Sequence, residues 1–524
     1  MAESRPATLT REDRRQQFIE LGWWVSIPLT TVPVHWVYQG ENRLDGGYYT
    51  AEANAALRAV NDCGFVVQPL EELTEPLYYP GRFKRVYAKN PENGTPFLTA
   101  SEMLQFRPTS AEYLANNTSA VEICRVQQGW ILITRSGTVG RCVIVGERLA
   151  KFAITDDAIR VQAKNVLLGY LYAYLSSWMG QVLISKDQYG SAIKHLEPHH
   201  LAGVPVPLLP EDIQAEIHAE IMRAYALRDE ANALLDEADE LLHEKLGLPP
   251  FDESLVPYLP PPAIPRLPPS RPEMPHPKAF SIRASELEDR FDASFHVPVA
   301  KTVVRTLQKG KYNPIRLGNL ADRVFLPTRF KRIYVPKEYG LPFLQGSHLP
   351  QMRPYDLKYL SKKANSKHID ECVILPGYVL VTRSGTIGRI GLVSSAQEGW
   401  TASEHLLRII PNKKQGHPGY IAAFLMTPYG QHQLTAKIYG GVVDELTEED
   451  TRAVWIPNAP LEIQAQIGER VVKAFELKDK ASVVEECAIR KVEEILKKRK
   501  GGITCASSRH VQRVAETNRW AQME

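Results

Sequence analysis

Cysteine is scarce in this chain, with six residues among 524, at Cys63, Cys124, Cys142, Cys372, Cys487 and Cys505. None form a CxxC pair, which argues against a zinc ribbon or a thioredoxin-like redox site. The sparse thiols fit a reducing cytoplasm. The opening stretch MAESRPATLTREDRRQQ lacks the apolar core of a secretion signal. One uncharged run, Val166 to Ile184, has 19 residues, near the length needed to cross a bilayer. Leu168, Tyr172 and Leu175 would share one face of a helix there, and the matching run in the second half contains Pro428, Gln431, His432 and Gln433. A buried core helix is therefore expected, and a cytoplasmic protein.

Catalytic signatures are also missing. The only Pro-Pro-aromatic run is Leu248-Pro249-Pro250-Phe251. An amino-methyltransferase needs a hydrogen-bond acceptor where this leucine stands. No GxxxxGK[ST] phosphate loop occurs. The GTVG at 137–140 and the GTIG at 385–388 do not complete GxGxxG, and the serines of TRSG lack the leading glycine of GxSxG. No nuclease-like carboxylate–lysine cluster is present. His195, His199 and His200 include a metal-like i, i+4 pair, but Pro198 makes the region read as loop, and Glu445 and Glu449 stand at the corresponding later positions. No catalytic residue and no metal site is expected.

What is present is internal repetition. GWILITRSGTVGRCVIV (129–145) returns as GYVLVTRSGTIGRIGLV (377–393), with ten of 17 positions identical. RLDGGYYT from Arg43 answers RFDASFHV from Arg290, and PGRFKRVYAK from Pro80 answers PTRFKRIYVPK from Pro327. TPFLTASEMLQFRP answers LPFLQGSHLPQMRP, and VPLLPEDIQAEI answers PNAPLEIQAQI. The order never breaks, and the offset stays between 246 and 250. A repeat on this scale sets the architecture.

Each copy begins with short β-branched and aromatic runs such as GWILIT and GYVLVT, which read as strands. A long helix follows. Ile213, Ile217, Ile221, Ala224, Ala231, Leu235, Ala238 and Leu242 fall three, four or seven apart. Ile463, Ile467, Val471, Ala474, Ala481, Ala488, Val492 and Ile495 do the same. Such stripes are coiled-coil-like, and about 35 residues would span roughly 50 Å. That is too long to bury on one small domain, so each helix is expected to pair with the other. The fold expected is α+β, a tandem pseudo-repeat of two mixed α/β units, each followed by a long helix, the helices forming an antiparallel coiled coil.

The boundaries follow: an N-terminal extension (1–42), a first unit (43–209), a first helix (210–247), a proline-rich linker (248–279), a second unit (280–459), a second helix (460–500) and a tail (501–524). The linker reads as an extended spacer.

Two repeated features exceed what folding requires. One is a trio of cations around an aromatic: Arg82, Lys84 and Arg85 beside Phe83, and Arg329, Lys331 and Arg332 beside Phe330. The plain alternative is a solvated face with the phenylalanine buried. The other is TRSGTxGR, giving Arg135, Ser136, Thr138 and Arg141, then Arg383, Ser384, Thr386 and Arg389. Arginine and hydroxyl side chains are usual donors to phosphates, and arginine also reads guanine edges. A turn whose glycines set φ is the structural alternative, and the two readings can coexist.

The order RLDxxYY, strand, TRSGTxGR, YGxxxxxL, VPxP, Pro-xxxIQxxI and long helix resembles the specificity (S) subunit of type I restriction–modification systems, from about Arg43 to Lys500. That resemblance implies two target-recognition domains held apart by antiparallel helices, each reading one half of a bipartite DNA site. It implies no catalysis by this chain and no cofactor of its own. Two DNA adenine methyltransferase (M) subunits would carry S-adenosylmethionine, and restriction/translocase (R) subunits would join them. The Arg-rich segments would face DNA. The alternative function is a DNA-recognition module of another phage-defence assembly with a different effector. The chain departs from the pattern at Gly46-Gly47, which answers Ala293-Ser294, and in its proline-rich linker.

The net charge of +3 conceals opposed blocks. Glu211 to Leu246 holds 11 acidic and 3 basic residues, a net of −8, so the remainder carries +11. The second helix, Leu461 to Lys500, has 10 basic and 8 acidic residues. An acidic strut and positive units fit a nucleic-acid partner better than the average does.

Overall fold

The computed structural model describes residues 50–186 except 89 and 111, then 195–252, 256, 279–287, 291–293, 295–438 and 445–498, together with Val34. The RLDGGYY run from Arg43, Arg290, Tyr189-Gly190, Tyr439-Gly440, most of the proline-rich linker, the N-terminal extension apart from Val34, and the tail lie outside the described residues.

The first unit opens with a helix, Ala51–Asn61, whose N-cap Thr50 accepts from Ala53 N at 3.1 Å. Strand Val66–Pro69 pairs antiparallel with Pro205–Leu208. A three-stranded sheet runs Glu112–Ala115, Gly94–Leu98, Ala153–Ile154. A second runs Cys142–Ile144, Ile131–Thr134, Ala158–Val161. Its centre, ILIT, is buried at every position, as its unbroken apolar, β-branched character requires.

The same order of elements returns later. Pro298–Lys309 is the opening helix, Pro314–Arg316 pairs with Trp455–Pro457, and Gly340–Leu344 lies between Lys358–Ser361 and Thr401–Ala402. Val379–Thr382 lies between Leu406–Pro411 and Ile390–Leu392, with Ala321–Phe325 added outside Leu406–Pro411.

The uncharged run is two buried helices rather than one: Leu168–Ser176 and Trp178–Ser185. Ser177 breaks it, with extended backbone and a side chain accepting from Gly180 N at 3.1 Å. The second half breaks at Thr427, which caps Gly430 N at 3.3 Å. There Pro428 disfavours helical backbone at the preceding residue and suits the first helical position. Among the described residues no helix is long and apolar enough to cross a membrane.

The long helices are Glu211–Leu246, of 36 residues, and Leu461–Lys498, of 38 residues. Gly247 ends the first in the left-handed region, at φ +64°. They pack on each other in opposite directions: Glu216 pairs with Lys491, Glu230 with Lys473 at 3.1 Å, and Glu237 with Arg470 at 3.3 Å. Ile217, Ile221, Ala224, Ala231, Ala238 and Leu242 are buried along the seam, with Ile467, Val471, Ala474, Ala481, Ala488 and Val492 opposite.

The two α/β units are not kept out of contact by these helices. Phe106 N donates to Pro350 O at 2.8 Å and Met352 N to Leu104 O at 3.0 Å. These are matching segments of the repeat, and each crosses the helix pair. Phe106 packs edge-on against Phe475, with ring centroids 6.2 Å apart, and Met352 O accepts from Ser482 Oγ at 3.3 Å. The apolar side chains that cover the seam thus come from the units, which draws the units together.

Candidate nucleic-acid interface

The first basic trio follows an exposed glycine and lies outside any strand or helix. Arg82, Lys84 and Arg85 are exposed while Phe83 packs on a small core with Phe97 and Leu114. Arg85 turns back to Asp156 Oδ1 at 2.7 Å. Burial opposes the Arg85 charge, but the Asp156 hydrogen bond outweighs it and raises the guanidinium above its ordinary value. In the second unit Arg329 and Lys331 are exposed, and Phe330 stacks on His368 with centroids 4.6 Å apart. Arg332 meets Glu404 Oε1 at 2.5 Å.

The TRSGTxGR turn leaves the central strand with Gly137 and Gly140 at φ +71° and +85°, and Gly385 and Gly388 at +73° and +84°. Thr134 Oγ1 donates to Thr138 O and accepts from Arg141 N at 2.9 Å, and Thr382 closes the second turn likewise. Ser136 is half-buried and Thr138 exposed, and so are Ser384 and Thr386 in turn. Ser384 Oγ lies 2.7 Å from His405 Nδ1.

Arg135 is 5% exposed. Its guanidinium donates to Leu196 O at 3.2 Å and Glu197 Oε1 at 2.5 Å, lies 3.6 Å from Asp157 Oδ1, and stacks 4.0 Å over Tyr79. Arg383 is held by Glu445, which also takes Arg329 at 3.1 Å. Each unit therefore brings its basic trio beside its own turn. Arg141 reaches across to the other unit, pairing with Asp356 at 2.5 Å. Arg389 lines a cleft between the units, and burial lowers its proton affinity while Glu102 partly restores it.

Sequence reading missed the carboxylates that position these cations: Asp156, Asp157, Glu197, Glu404 and Glu445. Two buried arginines hold the turns that present the first, second and fourth of them. Arg160 donates to Thr155 O at 2.9 Å, Ala158 O at 2.5 Å and Ile154 O at 2.7 Å, and Arg408 makes the matching bonds to Ser403 O, Leu406 O and Ala402 O. An arginine inside an otherwise apolar strand, AIRV or LLRIIP, was the available signal. The region expected as loop around Pro198 holds a one-turn helix, Pro198–Ala202, with Pro198 in its first turn. His200 Nδ1 accepts from Glu197 N at 3.1 Å, closing a capping box.

No family model and no curated protein matches the chain. Among solved structures it is similar to the type I restriction–modification system S subunit from M. genitalium, at 11% identity, covering 84% of this chain and 97% of that one, with a TM-score of 0.35. It is also similar to the HsdS subunit from Thermoanaerobacter tengcongensis, at 16% identity over 83% of this chain and 96% of that one, with a TM-score of 0.24. Both are S subunits. A third similar chain belongs to a structural study of assembly and conformational transition in the type I R-M system, at 16% identity, 83% and 97% coverage and a TM-score of 0.27.

Proposed function

We propose that this chain is the DNA-specificity subunit of a type I restriction–modification assembly. The observation carrying this reading is the pair of exposed cations, Arg82 with Lys84 and Arg329 with Lys331, set beside a TRSGTxGR turn in each of two like units. Two divergent copies of one reader suit a bipartite site, as paired half-sites suit dimeric readers. Arg82, Lys84, Arg329 and Lys331 contact phosphates, and Ser136, Thr138, Ser384 and Thr386 lie at the same surfaces as donors to DNA. Arg85, Arg332, Arg135 and Arg383 hold those surfaces in shape. Arg141 and Arg389 act at the junction of the units.

The units spanning 43–209 and 280–459 are target-recognition domains, copies of one ancestral repeat, and the antiparallel coiled coil on which both pack fixes how far apart their DNA-facing surfaces lie. Two methyltransferase subunits, carrying S-adenosylmethionine, and restriction/translocase subunits dock on this frame in the cytoplasm, and the chain itself is not an enzyme. Deleting its gene should erase adenine methylation at one split sequence of the native genome, as read by long-read sequencing, and complementation should restore it. Methylation by the purified chain alone, or an unchanged methylation map after deletion, would overturn the reading.

A further inference from the structure

The two sides of the junction between the units correspond through the repeat, yet they are filled differently. On one side Tyr172, Tyr225 and Tyr355 surround the carboxylate of Glu485, and Arg141 lies 5.2 Å over the Tyr355 ring while pairing with Asp356 at 2.5 Å. The matching positions on the other side are Ala422, Phe475, Thr109, Leu235 and Ser110. The correspondence is fixed by shared bonds: Tyr170 and Tyr420 donate to Pro207 O and Pro457 O, and Gln181 and Gln431 each donate at 2.8 Å to Gly140 O and Gly388 O.

Two aromatic rings, the hydroxyl of a third and two carboxylates are therefore absent from the second side, and a cleft of about 370 Å³ lies there. Its walls include Phe106, Leu235, Ala423, Met426 and Phe475, and Arg389, the counterpart of Arg141, lines it. Among the described residues no carboxylate lies within ion-pair distance of Arg389. Glu102 influences its charge from farther off and is bonded to Thr99 N at 2.8 Å. Arg107, also lining the cleft, is taken by Asp236 at 2.7 Å, and Asp239 contributes one further carboxylate to the wall.

We propose that this cleft binds a small aromatic carboxylate. Its ring occupies the space beside Thr109, which the Tyr355 ring fills on the other side, and its carboxylate meets Arg389 as Asp356 meets Arg141. The design matches ordinary small-molecule sites: mostly apolar walls and one charged group that fixes orientation. The cation–carboxylate bond, partly shielded from water, is of the stronger kind. The inference does not depend on the DNA-binding reading.

The test is calorimetric titration of the full chain with 4-hydroxyphenylacetate and, separately, with its uncharged amide. The acid should bind, and the amide should bind about tenfold or more weakly, as loss of a charge-assisted bond implies. Arg389→Gln should weaken the acid by a similar factor. Thr109→Tyr, which puts back the ring that Tyr355 supplies on the other side, should abolish binding while leaving a cooperative melt; Thr109→Phe serves if Thr109→Tyr does not fold. No binding of the acid at millimolar concentration, equal binding of acid and amide, or undiminished binding in a folded ring-restoring variant would each overturn the proposal.

Discussion

Tyr172 donates its hydroxyl to Glu485 Oε1 at 2.5 Å, so a helix of the first α/β unit is bonded to the long helix that follows the second. The same carboxylate takes Arg228 from the first long helix and Arg353 Nε, at 3.2 Å, from the second unit. Glu485 is fully buried and Arg228 nearly so. Four elements thus converge on one carboxylate. In such a setting each charge is tolerable only while the others remain.

Replacing Glu485 with leucine, the residue at the matching position 235, should destabilise the chain by about 3–5 kcal/mol, because two arginines lose their buried counter-charge. Urea unfolding measures this. A loss under about 1 kcal/mol would show that the network contributes little.

Acid should expose the same carboxylate. Burial by itself raises the proton affinity of Glu485, but Arg228 and Arg353 overcome it and bring its pKa down to about 2. The unfolded chain binds that proton at about 4.3. Its contribution is therefore complete above that value and is lost as pH falls from about 4.3 through about 2. Glu485→Leu should flatten the stability profile of the chain across this window. Profiles of equal slope would contradict the assignment.

Arg135 and Arg82 should behave oppositely. Arg135→Ala removes the buried cation that bridges Leu196 O, Glu197 and Asp157, so the melting temperature should drop, by an amount equivalent to about 2–4 kcal/mol. Arg82→Ala with Lys84→Ala should leave the melt unchanged, weaken binding to DNA of any sequence, and reduce the salt slope of log K by about 2. Fluorescence anisotropy over a salt series, beside a thermal melt, separates the two. An unchanged salt slope in the double variant would remove these cations from the interface.

The turn glycines offer a graded comparison. Gly385 and Gly388 both have positive φ, at +73° and +84°. A Cβ on Gly385 would meet nothing within 4 Å, whereas one on Gly388 would lie 2.8 Å from Gln431 Oε1. Gly385→Ala should cost about 1 kcal/mol for its backbone alone. Gly388→Ala should cost more, since Gln431 must also give up its place beside Gly388 O. Equal costs by chemical denaturation would mean that Gln431 moves aside freely.

Local pattern made much of this architecture readable. The β-branched run ILIT and its partner VLVT announce central strands because only a sheet buries such a run on both faces. The apolar stripe of Ile217, Ile221, Ala224 and Ala231 announces a long helix through its period, and Gly247 announces its end. The stripe also carried a signal that periodicity alone does not interpret. It steps seven residues from Ala224 to Ala231 and from Ala481 to Ala488, and the skipped core positions hold Arg228 and Glu485, both buried. A charged residue in phase with a buried stripe marks a network, but not its partners.

Those partners were set only by the tertiary structure. Arg135 and Arg82 are both arginines in repeated basic motifs, and nothing local distinguishes them. Burial against Tyr79, Asp157 and Glu197, from three distant segments, makes one a support while the other stays exposed. The same holds for Arg141 and Arg389, identical in motif: Asp356 pairs the first, whereas the matching Ser110 cannot pair the second. The sequence by itself determined the periodicities, the repeat and the charge of each block, because these depend on neighbours along the chain. Which cation meets a carboxylate, and where a missing ring leaves a cleft, depends on segments hundreds of residues apart coming together, and only the folded structure decided that.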